Sequence, residues 1–509
     1  MALEVELKLS IAPGDAAALA RAAPLKSAAV ARATVARLYS IYYDTPQFAL
    51  RESGVALRLR RMGKRWLQTL KSAGRVDAGL HQRDEIETPL AAQIINYRAL
   101  SKSNLAQVLR DPQLPLQLAP VFVSDFKRTT RLLEPAPGTR IELCLDRGTI
   151  IAGSAQMPIS EVELELKAGA PAHLIDLALV LLEHVPMRLE PASKAERGYA
   201  LAAGSPSLPV KASPIELSEQ MSVADALRAV VYQCIAHLQA NERGLLESND
   251  IEYIHQARVA VRRLRSSFSV FRPAFPQQMF EQPLGELRWL AGLLGQARDW
   301  DVLMSETLPA VCEALPSEPA LHELLERCAN LHAAARLSAQ EAVASKRYTQ
   351  VLLNLIGVFL RAPWTVSGDD AASERERPLI EFASAVLDER HRKVVKRAAA
   401  LSQLDTAQLH ALRIAIKKLR YAAEFFSALY AKKHVRDYVA ALSELQELLG
   451  ALNDAATADV IARALRDEGQ ADQLEGLGLL RGWCAARAQV SRKQLGKAWS
   501  GFEKTGKFW

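Results

Sequence analysis

Cysteine is scarce in this chain of 509 residues: the five present, Cys144, Cys234, Cys312, Cys328 and Cys484, stand singly. Without a C-x-x-C pair there is neither a zinc-finger pattern nor a disulfide framework, and a reducing compartment fits best. Long apolar runs are lacking too, since the longest uncharged one, VLLNLIGVFL at 351–360, is too short to span a bilayer. The N-terminus carries Glu4, Glu6 and Lys8 where a signal peptide needs an apolar core, so a cytoplasmic chain without membrane contact is expected. Neither G-x-x-x-x-G-K-[ST] nor H-E-x-x-H occurs, which removes two common phosphate and zinc motifs. Charge is nearly balanced, with a net +7 that divides into +5 for residues 1–205 and +2 for 206–509. Any anion site must therefore come from local concentration of charge. Aromatic residues make up 6% and do not interleave with the basic positions, which argues against a nucleic-acid partner.

What is present in the first 200 residues is a set of short alternating segments. EVELKL at 4–9 and EVELELK at 161–167 put Glu and Lys on one face and aliphatic residues on the other. Arg58 and Arg60, Arg83 with Glu85 and Glu87, and Glu142 with Asp146 follow the same rule, and Lys71 ends another such segment. These segments predict an antiparallel all-β unit with a few helices. If the sheet closes with its charged faces inward, a lumen of opposed carboxylates and cations is costly unless a ligand and a metal complete the pairing.

SPSLPVKASPIE at 205–216 reads as a linker, and helical periodicity follows almost to the end. HQARVAVRRLRSSFSVF at 255–271 recurs as HALRIAIKKLRYAAEFF at 410–426, an offset of 155 that also carries Leu287, Leu290, Gly295 and Asp299 to Leu442, Leu445, Gly450 and Asp454. A duplicated helical bundle is expected. In each copy one arc is basic and free of acids: His255, Arg258, Arg262 and Arg265, then His410, Arg413, Lys417 and Arg420. RHRKVVKR at 390–397 adds a further cluster, so the half suits a long, repetitive polyanion.

Chemistry that needs clustered carboxylates facing cations is hydrolysis of a phosphate chain. Mg²⁺ prefers carboxylate oxygens, Arg and Lys clamp phosphate oxygens, and a metal-held water, with a Glu as general base, attacks phosphorus. At this point the residues resemble a known family. EVELKL, YYDTP at 42–46, LRLR at 57–60, GLHQRDE at 79–85, IELCLDRG at 141–148, EVELEL at 161–166 and SKAERGY at 193–199 are similar to the CYTH domain of the triphosphate tunnel metalloenzymes. SKAE also reads as a capping box that starts a helix.

The resemblance implies an eight-stranded antiparallel β tunnel with flanking helices that binds triphosphate with Mg²⁺ or Mn²⁺. It implies catalytic roles for Glu4, Glu6, Lys8 and Glu85, and metal ligation by Glu4, Glu6, Asp146, Glu161 and Glu163. It also implies substrate contacts from Lys8, Arg58, Arg60, Lys71, Arg83, Arg128 and Lys194, while Glu142 matches a carboxylate position and Glu165 extends the last run. The second half, strongest in its two H-x-x-R-[VI]-A-[VI]-[RK]-[RK]-L-R segments and in LLGQARDWDVL at 293–303, resembles the CHAD domain, whose members bind inorganic polyphosphate. That implies polyphosphate contacts from the two basic arcs, and a place beside polyphosphate granules.

The expected organisation is an α+β two-domain chain: a tunnel over 1–205, a linker over 206–217, and an all-α duplicated four-helix bundle over 218–509 with repeats 255–303 and 410–458. The expected activity is metal-dependent hydrolysis of inorganic triphosphate to pyrophosphate and phosphate. The alternatives are a non-catalytic polyphosphate scaffold, or a tunnel enzyme acting on thiamine triphosphate or ATP.

Overall fold

The computed structural model describes residues 4–72, 75–77, 80–83, 85–100, 113–204, 208–365, 372–467 and 474–509, without the side chains of residues 4, 75–77, 80–83, 99–100, 365, 453–467 and 474. It divides into two compact units, the first spanning residues 1–208 and 344–362, the second 209–343 and 363–509.

Alternation of aliphatic and charged side chains drives the first unit into strands β1 (Glu4–Ile11), β2 (Thr34–Asp44), β3 (Val55–Met62), β4 (Arg65–Ser72), β5 (Arg75–Asp77), β6 (Leu80–Arg83), β7 (Glu85–Leu90), β8 (Ala119–Leu133), β9 (Arg140–Ala152), β10 (Ala155–Ala168) and β11 (Met187–Leu189). Their order is β5-β6-β1-β10-β9-β8-β2-β3-β4-β7, with β11 also on β1, and every pairing is antiparallel. Only residue 84 separates β6 from β7, and β6 pairs with β1 while β7 pairs with β4. One segment thus joins the two ends of the sheet and closes it. Counting that segment as one strand, eight strands form the wall, and the three-residue β5 and β11 are additions.

Closure buries both faces. Leu7, Leu9, Leu57, Leu59, Val162 and Leu164 are at 0% exposure on the outward face, while the charged set points into the lumen. Numbering helices of ten residues or more, α1 (Ala172–Leu182) packs on the outside, whereas α2 (Lys194–Ala203) packs on the inner face, where Lys194, Ala195 and Tyr199 line the lumen and Tyr199 meets Phe122. At Gly198 an added Cβ would lie 2.1 Å from the Phe122 ring, so α2 docks closely enough to aim its first turn at the wall. That turn begins with a capping box between Ser193 and Glu196. In YYDTP, Asp44 is buried and accepts from the backbone N–H groups of Thr45, Leu50 and Arg51, so it organises the strand end.

The second unit holds α3 (Val223–Glu247), α4 (Ile251–Phe271), α5 (Gln278–Val302) and α6 (Pro319–Ala344), then α8 (Leu379–Ala398), α9 (Thr406–Phe425), α10 (Lys432–Asp467) and α11 (Leu474–Thr505). The first four start at 223, 251, 278 and 319, and the second four at 379, 406, 432 and 474, so the offset near 155 extends over four helices. Ala257, Ala260, Leu264, Phe268 and Phe271 of α4 and Leu412, Leu419 and Phe426 at α9 are buried, as amphipathic helices require.

Helix α7 (Lys346–Arg361), within the expected 218–509, packs in the same compact unit as residues 1–208. Helix α1 buries a wide arc, Leu174, Ile175, Leu177, Ala178, Leu181 and Leu182, more than the sheet alone covers. Helix α7 is the second partner. Gly357 admits it closely, since a Cβ there would lie 3.2 Å from Ile175, and Arg361 pairs with Asp176 at 2.7 Å while Lys346 pairs with Glu183 at 2.5 Å. Among the described residues no helix is long and apolar enough to cross a membrane.

Candidate functional site

The lumen of the first unit is a cavity of about 620 Å³. Register explains its two-sided chemistry. On β1 and β10, Glu6 lies opposite Glu165 and Lys8 opposite Glu163, and on β9 Glu142 lies opposite Glu165 and Asp146 opposite Glu161. Glu6, Glu165 and Glu142 thus form a row of carboxylates across three adjacent strands, an arrangement disfavoured without cations. Lys8 meets Glu6 at 2.8 Å and Glu163 at 3.9 Å, and Lys167 pairs with Glu165.

The facing wall is cationic. Arg58 and Arg60 on β3 and Lys71 on β4 line the cavity. Glu85 accepts from Arg58 at 3.0 Å and pairs with Lys71 at 2.5 Å, and although burial pulls its carboxyl up, those two cations hold it below the usual range. Arg60 donates to the Ser40 hydroxyl at 3.1 Å, and burial together with the neighbouring Arg58 charge lowers its guanidinium to about 10. Tyr42 is buried against the same cations, and Arg58 and Arg60 pull its phenol down against the opposing effect of burial.

Further along the same inner face, Asp146, Glu161 and Glu163 bring carboxylate oxygens within 4.8 Å of one another. Cations already interleave them. Arg128 forks onto Asp146 with bonds of 2.7 and 2.6 Å and also reaches Glu163. Lys194 lies 2.7 Å from Asp146 and 3.0 Å from Glu163 and bonds Glu161, which also takes Arg197. Burial opposes ionisation of Glu163, but Lys194, Arg128 and Lys8 bring its carboxyl well below the usual range. Asp146 and Glu161 are at 0% exposure, whereas Glu6, Glu163, Glu165 and Glu142 line the cavity.

Of the residues expected from sequence, the structure brings Glu6, Lys8, Arg58, Arg60, Lys71, Glu85, Arg128, Glu163 and Lys194 to one cavity, with Asp146 and Glu161 on the same inner face, covered by Arg128 and Lys194. The side chains of Glu4 and Arg83 lie outside the described residues; their backbones pair with each other across β1 and β6. Glu165 and Arg197 were not among the expected site residues. Arg197 follows Lys194 by three residues on α2 and so shares its face, a spacing visible in the sequence.

In the second unit the arcs of α4 and α9 face each other. Burial, with Arg413 of α9 and Arg262 and Arg258 of α4, lowers the Lys417 amine to about 7. His255 is held below its ordinary value by burial and then by Arg298, and Arg258 lies 3.9 Å from Asp299. Arg420 also acts on Lys417 while pairing with Glu424 at 2.8 Å, whereas two members stand apart: Arg265 feels Arg288, and His410 is exposed near the start of α9. Asp301 of LLGQARDWDVL is fully buried, 2.7 Å from His332 Nε2.

Residues 2–199 match the family model of the CYTH domain, and residues 229–463 match that of the CHAD domain. The inorganic triphosphatase of Haemophilus influenzae is 36% identical over 207 residues, which are 40% of this chain and 55% of that protein, so the match spans about half of the relative's length. An uncharacterized protein of Mycobacterium tuberculosis is 27% identical over 416 residues, covering 76% of this chain and 75% of its own. The crystal structure of the CHAD domain from the plant Ricinus communis superposes with a TM-score of 0.50 at 32% identity, over 58% of this chain and 96% of that one.

Proposed function

We propose that this chain, a CYTH domain followed by a CHAD domain, is a divalent-metal-dependent inorganic triphosphatase whose helical half binds polyphosphate. One observation carries the catalytic part: a single closed lumen sets Arg58, Arg60, Lys71 and Arg128 against Glu6, Glu163 and Glu165. A triphosphate presents many anionic oxygens in a line, which is what a row of fixed cations recognises.

The donor set fits a hard divalent cation. Like-charged carboxylates placed opposite one another across β1, β10 and β9 supply oxygen ligands, and Glu6, Glu165 and Glu163 are the residues that would hold it, with Glu4 beside them on β1. Asp146 and Glu161 serve instead to orient Arg128 and Lys194, because both are fully buried beneath those cations, whereas Glu163, which the same cations reach, borders the cavity. When bound, the metal supplies charge neutralisation and an activated water. The chain's own work is binding and orientation. Arg60 has no carboxylate within bonding reach among the described contacts, and its fork is available for phosphate oxygens. Lys8, held between Glu6 and Glu163, sits where carboxylates meet substrate, and Arg58 and Lys71 keep Glu85 ionised on the opposite wall.

The polyphosphate part rests on the convergence of Arg258, Arg262, Arg413 and Lys417, where burial and then the neighbouring guanidinium charges lower the lysine amine. A polyanion offsets those charges.

The test is phosphate release from tripolyphosphate with and without Mg²⁺, beside thiamine triphosphate, ATP and long-chain polyphosphate. Release from tripolyphosphate should vanish on chelation and fall at least about 100-fold in Glu6→Gln. Arg60→Ala should raise KM for tripolyphosphate at least about tenfold. Absence of metal-dependent release from every substrate would make the lumen a receptor; preference for ATP or thiamine triphosphate would reassign the substrate.

A further inference from the structure

Among the described residues of the second unit there is a cleft of about 590 Å³ that the facing arcs of α4 and α9 do not use. Arg390, Lys393 and Arg397 of α8, Lys418 of α9 and Arg272 after α4 line it, and Glu389 is the one acid among its described lining residues. Glu389 is taken up by Lys393. The spacing on α8 is i, i+3, i+7, so these three side chains share a face, whereas Arg392 and Lys396 of the same basic run turn elsewhere.

Arg390 gives the cleft a built character. Its guanidinium donates to the Ser269 carbonyl at 2.7 Å, the Ser269 hydroxyl at 3.2 Å and the Lys418 carbonyl at 3.3 Å. Neutral oxygens fix the fork, and Glu389, bonded to Lys393, offsets its charge only in part. Burial accordingly lowers it to about 10, and Lys418 is lowered by burial and by Arg390, Lys393 and Arg397. Ala411 and Ala415 of α9 leave the cleft floor low enough for a ligand to approach the helix.

We propose that this cleft is a second binding site for a phosphoanhydride chain, distinct from the facing arcs and reached by the same ligand; the proposal rests on the polyphosphate reading above. A chain is the ligand class, because from Arg390 to Arg397 the basic side chains extend about 10 Å along α8, more than one phosphate group spans. Lys417 of the arcs and Lys418 of the cleft are adjacent on α9 and point about 100° apart, so one helix carries a contact for each site. A long chain that engages both gains by effective concentration.

The experiment uses the full chain and long-chain polyphosphate, with affinity measured across a range of salt. The triple variant Lys393→Gln, Arg397→Gln, Lys418→Gln alters exposed residues only, and Arg390→Gln removes the anchored fork. The triple variant should bind about tenfold more weakly, with a salt slope lower by about two charges and unchanged tripolyphosphate turnover. Arg258→Gln with Arg262→Gln serves as the comparison for the arcs. Unchanged affinity and slope in the triple variant, with binding weakened in the arc variant, overturns the cleft and leaves the polyphosphate reading intact. Failure of the wild type to bind polyphosphate, or tighter binding of duplex DNA of matched charge, overturns both.

Discussion

Lys417 is the residue at which the electrostatics of the helical unit become measurable. Its amine is lowered to about 7, first by burial and then by Arg413 and Arg262. Between that value and the ordinary lysine value near 10.4, the folded chain binds fewer protons than the unfolded one, so Lys417 makes folding stability rise with pH across this window. A bound polyanion reverses the repulsion and returns the proton. Polyphosphate binding near pH 8 should therefore take up close to one proton, read from calorimetry in two buffers of different ionisation enthalpy, and Lys417→Met should abolish the uptake. In the tunnel the legible residues are those whose alternation marks a face, Glu6, Lys8, Arg58 and Arg60. Glu165 could not be weighed from its own segment, because its role depends on lying opposite Glu6 on another strand.

At the scale of elements, α7 is the helix whose packing the sequence did not reveal. Its segment KRYTQVLLNLIGVFLR lies within the helical half of the sequence, and its apolar content is explained equally well by either unit. Structure settles the matter through Thr349, which is 1% exposed and donates to the Met187 carbonyl of β11 at 2.8 Å. Strand β11 in turn pairs with β1, and Glu190 N–H donates to the Lys8 carbonyl, so α7 supports the strand that presents Glu6 and Lys8. Thr349→Val keeps the shape and leaves a buried carbonyl without its donor, and should cost about 1–3 kcal/mol, measured by denaturant unfolding of the full chain. Thr349→Ser should recover most of it.

At the scale of the whole chain, the same helix predicts how the protein can be divided. Residues 1–208 alone lack α7 and expose part of the apolar arc of α1, so this piece should bind apolar dyes and lose tripolyphosphate turnover. Joining residues 344–362 to it through a flexible linker should suppress the dye binding, read by fluorescence against the full chain. Equal dye binding with and without 344–362 would refute the role given to α7.

Sequence by itself determined what is periodic or local. Period-two alternation identified the strands and their charged face, the offset near 155 identified the duplicated helices, and S-K-A-E identified the cap of α2, because each signal lies within one segment or repeats along the chain. Tertiary structure alone decided what depends on distant segments meeting. Closure of the sheet by residues 80–90, the carboxylate row of Glu6, Glu165 and Glu142, the burial of Asp146 and Glu161 beneath Arg128 and Lys194, the cleft at Arg390 and the packing of α7 in the first unit all follow from pairings across dozens to hundreds of residues. No pattern along one strand or helix encodes its partner, since register and packing are selected by the burial that both sides achieve together.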